Sequence, residues 1–156
     1  MSVLVLGIGN LVMGDDGVGV RVVHNLAERY TFPNEVTVLD GGTLGLDLLP
    51  HIERCQRLVM IDAVETGGTP GTLVRLTGAE LSPALETKLS PHQMGLKDLL
   101  TVASLLGHLP EEMVLWGVQP ENIDMTLELS PPVREQVGPL VEKVLEELAA
   151  WGIAAS

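Results

Sequence analysis

The chain has 156 residues, nearly half of them hydrophobic, with 21 acidic side chains against nine basic ones. That length normally makes one domain around one core, and here it is read as a single domain spanning residues 1–156. A net charge of −12 argues against nucleic acid, whose binding needs a basic surface to displace counterions, and against an anionic membrane, while remaining compatible with a basic partner segment.

The N-terminus has no basic flank or small-residue cleavage site, and Val3–Gly9 is too short to span a bilayer. The expectation is a soluble, cytoplasmic protein. Val3–Gly7 reads as a buried strand, followed by the glycine-rich, acidic stretch Gly7–Gly19. Val18–Tyr30 reads as a helix, with Val18, Val22, Leu26 and Tyr30 on one stripe. Val36–Asp40 is the second strand, and Leu44–Arg54 a shorter helix disturbed near Pro50. The lone Cys55 precludes an internal disulfide and points to a reducing compartment. With no base near it in sequence, it reads as a small buried residue.

Leu58–Asp62 is the third strand. The turn-rich Thr66–Gly71 introduces Thr72–Thr77, whose central Arg75 marks an edge strand. Ser90–Leu106 opens with a Ser-x-x-Gln capping box and Pro91 at the first helical position. Its apolar stripe is Leu96, Leu99, Leu100, Ala103 and Leu106. Met113–Val118 is the fifth strand. The last helix, about Pro132–Trp151, buries Val133, Val137, Val141, Val144, Leu145 and Leu148, with a kink expected at Gly138-Pro139. Strands alternating with helices indicate a three-layer α/β sandwich around a mostly parallel five-stranded sheet.

Ligands of such sheets bind beyond the carboxyl ends of the strands. Asp15 and Asp16 follow strand one, Asp40 ends strand two, and Asp62 ends strand three. Acids there can cap the next helix, bind a metal, or share a proton in acid–base chemistry. Capping competes seriously for Asp15 and Asp16 and is less persuasive for Asp62. Asp40, before two glycines, reads as a turn residue that could also touch substrate. His92, near the start of a capped helix, is held neutral by the positive helix end and suits a divalent metal. Its ordinary alternative is a solvated surface residue. Two carboxylates and an imidazole would suit nickel or zinc. His24, His51 and His108 read as exposed.

Gly7-Ile-Gly-Asn-Leu-Val12 begins like a dinucleotide fingerprint, but Val12 occupies the third glycine position and two acids follow. No nucleotide cofactor is expected. An S-adenosylmethionine-dependent methyltransferase, whose ligand has no phosphate, is the competing reading.

Val5–Asn10 followed by Gly14–Gly19 resembles the opening signature of the hydrogenase maturation proteases. Leu39–Thr43, Ile61–Ala63, Ser90–Gln93 and Gly117–Pro120 are similar to further blocks, in the family's order. The resemblance implies a metal-sensing processing endopeptidase of the aspartyl type. Such an enzyme removes a C-terminal peptide from the large-subunit precursor of a nickel–iron hydrogenase after nickel insertion. It implies a twisted sheet with one antiparallel strand. The metal ligands it implies are Asp16, Asp62 and His92, with Asp16 or Asp62 catalytic and nickel contributed by the precursor. Asp40 is a weaker substrate-binding candidate. The turn Thr66–Gly71 and the loop before Ser90 are candidates for the partner groove, and a non-catalytic nickel sensor is the alternative role.

Overall fold

Side chains alternate across a strand, so a run that is apolar at every position needs cover on both faces. In the first and third runs, Val3, Val5, Val59 and Ile61 enter one core, and Leu4, Leu6, Leu58 and Met60 enter the other. The computed structural model describes residues 1–42, 45–81 and 96–156. Five strands form one sheet: β1 (Val3–Ile8), β2 (Val36–Gly42), β3 (Arg57–Ala63), β4 (Leu73–Thr77) and β5 (Glu112–Val118). Their order is β2-β1-β3-β5-β4. β4 runs antiparallel to β5 at the edge, and the other pairings are parallel.

The first face is covered by α1 (Val18–Arg29), the short α4 (Pro131–Arg134) and α5 (Val137–Ala150). The second is covered by α2 (Leu49–Arg54) and α3 (Leu96–Leu105). α1 buries Val18, Val22 and Leu26, with Tyr30 packed beside them, as their spacing predicts. In α3, Leu99, Leu100 and Ala103 are buried, whereas Leu106 lies past the helix end and is 53% exposed. The expected capping box at Ser90 lies outside the described residues.

Two local expectations are corrected and a third is located more closely. The disturbance expected near Pro50 is a change just before it from a 3-10 turn, Gly45–Leu48, to α2, so that Pro50 sits in the first turn of α2, where a missing N–H costs nothing. The last helix breaks at Glu135-Gln136, between α4 and α5, and not at Gly138-Pro139. Pro139 falls in the first turn of α5, where a helix tolerates proline. Asp40 is a strand residue and not a turn: β2 continues to Gly42 through a register shift that pairs Gly7 with Asp40 but Ile8 with Gly42.

The strand order positions the site. The chain leaves β1 for β2 on one side, then crosses back past β1 to reach β3. The connections diverge at the carboxyl ends of β1 and β3, the place where open sheets of this kind form a ligand crevice.

Candidate active site at the β1–β3 crevice

The glycines after β1 bring backbone against backbone. Gly9 has φ of 131°, and a Cβ there would lie 1.8 Å from the carbonyl oxygen of Asp16. A Cβ on Gly19 would lie 2.1 Å from the carbonyl oxygen of Ile61. Gly19 follows Asp16 by three residues, and Ile61 immediately precedes Asp62. The close approach of α1 to the end of β3 therefore packs the stretch that carries Asp16 against the strand that carries Asp62.

Both acids are inside the protein. Asp16 is 2% exposed and Asp62 fully buried. Asp16 Oδ2 accepts the Asn10 N–H at 2.9 Å, and Asp62 Oδ1 accepts the Ala63 N–H at 2.8 Å. Backbone donors thus fix the orientation of both carboxylates. Strand alternation directs Asp62 to the face of Leu58 and Met60, which α2 and α3 cover. After α3, Glu111 N–H bonds Gln56 C=O at the amino end of β3, so the opposite end of α3 is directed to the carboxyl rim.

His92 lies outside the described residues. Among the described residues, no group of three or more His, Cys, Asp or Glu side chains could hold a metal ion. Those residues carry two buried acids on neighbouring strands' ends, Asp16 after β1 and Asp62 at the end of β3. Buried carboxylates in a chain of net charge −12 favour a cation, and a carboxylate can also orient or deprotonate a water.

Asp15 has a different task from its neighbour. Its Oδ2 accepts the N–H groups of Glu121 and Asn122 at 2.8 and 3.0 Å and the Ser130 hydroxyl at 2.7 Å. Its Oδ1 accepts the Ser130 N–H at 2.7 Å. Fully buried, it ties both ends of the 121–130 loop to the loop after β1. Neither Asp15 nor Asp16 caps α1, whose N-cap position is Gly17 without a side-chain bond. Ser130 likewise precedes α4 without capping it, because its hydroxyl is given to Asp15.

Asp40 stands apart on β2, across β1 from Asp62. Its Oδ2 meets His24 Nε2 at 2.7 Å, with both side chains nearly half exposed. His24 is therefore the partner of Asp40 and not merely a solvated residue. Cys55 is 8% exposed, and burial pushes its thiol up to about 11, against a smaller lowering by its own backbone hydrogen bond. A thiol so poorly ionised is not a nucleophile at neutral pH.

Gln119 escaped the reading of individual residues, and its only signal was its place in the block Gly117–Pro120. Its Oε1 accepts the Thr66 N–H at 2.7 Å and the Thr66 hydroxyl at 3.0 Å, and its Nε2 donates to Glu65 Oε2 at 3.1 Å. It fastens the segment that follows Asp62 to the loop after β5. The Thr66–Gly71 turn is thereby held at its first residue. The loop before Ser90 lies outside the described residues.

Comparisons with known proteins give this geometry a family. Residues 20–147 match the model of the family described as hydrogenase maturation protease. The chain is 41% identical over 163 residues to the hydrogenase expression/formation protein HupD of Bradyrhizobium diazoefficiens, covering 99% of this chain and 81% of that one. It is 38% identical over 156 residues to the hydrogenase 2 maturation protease of Escherichia coli, covering 99% and 95%. The solved structure of the hydrogenase maturating endopeptidase HybD from E. coli superposes with a TM-score of 0.93 at 38% identity, covering 99% and 96%. HybD from Thermococcus kodakarensis gives 0.75 at 34%, covering 96% and 99%. A family whose members are named proteases and endopeptidases makes this protein a hydrolase. The chain belongs to the hydrogenase maturation proteases.

Proposed function

We propose that the protein removes a C-terminal peptide from the nickel-loaded large-subunit precursor of a nickel–iron hydrogenase, acting in the cytoplasm. The observation that supports this reading is the burial of Asp16, after β1, and of Asp62, at the end of the neighbouring β3, each oriented by a backbone N–H. Nickel arrives as part of the substrate, held by the precursor's cysteines, and Asp16, Asp62 and His92 complete its coordination. Two oxygens and one imidazole nitrogen suit a transition metal that keeps its other ligands on the substrate. Docking through the metal places the scissile peptide in the crevice, where Asp16 or Asp62 orients or deprotonates the attacking water. Asp40, partly exposed on β2, is a further candidate for contact with the substrate.

The test is a processing assay on precursor prepared with and without nickel, read by mass spectrometry. Wild-type protein cuts only the nickel-loaded form. Asp16→Asn, Asp62→Asn and His92→Ala each lose at least a hundredfold in rate, as expected when a catalytic or metal-binding group is removed. Full cleavage by the two Asn variants would discard the assignment. No helix among the described residues is long and apolar enough to cross a membrane.

A further inference from the structure

The 121–130 loop and the loop after β1 are joined by one bridge, Met13 to Thr126. Thr126 N–H bonds Val12 C=O at 3.0 Å, and Gly14 N–H bonds Thr126 C=O at 2.9 Å. Around this bridge three apolar side chains stand in solvent: Val12 at 45%, Met125 at 84% and Leu127 at 63% exposure. A single exposed apolar residue is ordinary, but a group of them beside a functional crevice marks an interaction surface. The group is also braced. Asp15 holds the loop at Glu121, Asn122 and Ser130, and the Arg21 guanidinium donates to Leu127 C=O. A surface held in place before binding loses less entropy when a partner arrives.

Charge indicates what that partner carries. Residues 121–130 include Glu121, Asp124 and Glu128 and no lysine or arginine; all three acids are exposed, while the two arginines packed against the loop, Arg21 and Arg134, give their guanidinium groups to Leu127 and Leu129 C=O. We propose that Val12, Met125 and Leu127 form an acid-rimmed docking wall for a segment of the substrate precursor with apolar anchors flanked by lysine or arginine. This inference rests on the proteolytic reading above. Basic flanks are steered to the wall by the acids, and the flexible Met125 thioether adapts to an apolar anchor. The wall adjoins the loop that carries Asp16, since Val12 lies between Asn10, whose N–H holds Asp16, and Asp16 itself.

The test compares steady-state processing of nickel-loaded precursor by wild type, Met125→Asp/Leu127→Asp and, as control, Leu105→Asp, which alters an 83% exposed leucine at the far end of α3. The wall variant raises KM at least tenfold, about 1.4 kcal/mol, and keeps kcat within twofold. The control changes neither. Replacing Glu121, Asp124 and Glu128 together by glutamine raises KM about threefold at low ionic strength and flattens its dependence on salt. A thermal melt verifies folding, and Met125→Ser alone shows the same direction of effect should the double variant melt early. Unchanged KM in the wall variants, with wild-type processing intact, overturns the docking wall. If wild type leaves nickel-loaded precursor uncut, the proteolytic reading falls. The wall is then judged by precursor binding to immobilised protein, with loss in Met125→Asp supporting it and retention overturning it.

Discussion

Gly19→Ala sets two effects of opposite sign against each other. Alanine is favoured over glycine within a helix by about 1 kcal/mol, so propensity alone predicts a more stable protein. The added methyl would, however, lie 2.1 Å from the Ile61 carbonyl oxygen and 2.7 Å from that of Ile8. A comfortable carbon–oxygen approach is roughly 3.3 Å, which leaves a shortfall of roughly 1.2 Å against Ile61. Both oxygens belong to sheet backbone in β3 and β1, so no side chain can rotate away. The start of α1 must move off the sheet. Overpacking of this kind costs about 1–3 kcal/mol and more where the neighbours are rigid. With the overpacking cost at the upper end of that range and the propensity gain set against it, the net expectation is a loss of about 2 kcal/mol, a fall of roughly 4–8 °C in Tm. Urea unfolding followed by far-UV circular dichroism reads the stability. Processing falls further than stability does, because the same shift displaces Asp16 relative to Asp62. A midpoint equal to or above wild type would refute the steric argument and the role assigned to this glycine.

Asp15→Ala strips the acceptor from three backbone N–H groups and the Ser130 hydroxyl. It lowers stability by about 3–5 kcal/mol, visible in a urea titration with or without nickel. Glu147→Ala removes a carboxylate that accepts from Arg75 Nη2 at 3.1 Å and Trp116 Nε1 at 3.2 Å, as well as from Arg75 Nε. Because the Arg75 side chain is 47% exposed, the loss is limited to about 1–2 kcal/mol. The hydrogen bond from Arg75 holds the Glu147 carboxyl below its ordinary value against the opposing effect of burial. Its contribution is therefore present above the unfolded-state value and lost as pH falls through the lower folded one. The gap in urea midpoint between wild type and variant should be constant from about pH 7 to 5 and close below about pH 4. Cys55, with its thiol raised to about 11, is only about one part in a thousand ionised at pH 8. It should resist a thiol-titrating disulfide reagent in native protein and react in denaturant, and Cys55→Ser should process precursor normally.

Much of the framework is written locally. The unbroken apolar runs at Val3 and Leu58 specify strands covered on both faces, and Arg75 identifies an edge. The spacing of Val18, Val22 and Leu26 specifies the buried side of α1. These features are legible because they depend on near neighbours and on the two periods of regular backbone. The helix break was misplaced at Gly138-Pro139 because a proline reads as disruptive unless its distance from the helix start is known, and in α5 that distance is short.

Position after a strand end picked out Asp15, Asp16, Asp40 and Asp62 as acids of the carboxyl rim, but not their separate tasks. Asp15 and Asp16 are adjacent and chemically identical. One is absorbed by donors more than a hundred residues away, at 121–130, and the other turns to the Asn10 N–H. Asp40 and His24 pair because α1 packs beside β2, a contact that no local pattern contains. Residue type and spacing thus determined the elements and the chemistry on offer. Which carboxylate braces the 121–130 loop and which stays with the loop after β1 was decided by long-range packing, since a buried carboxylate takes its role from the donors that the rest of the fold brings to it.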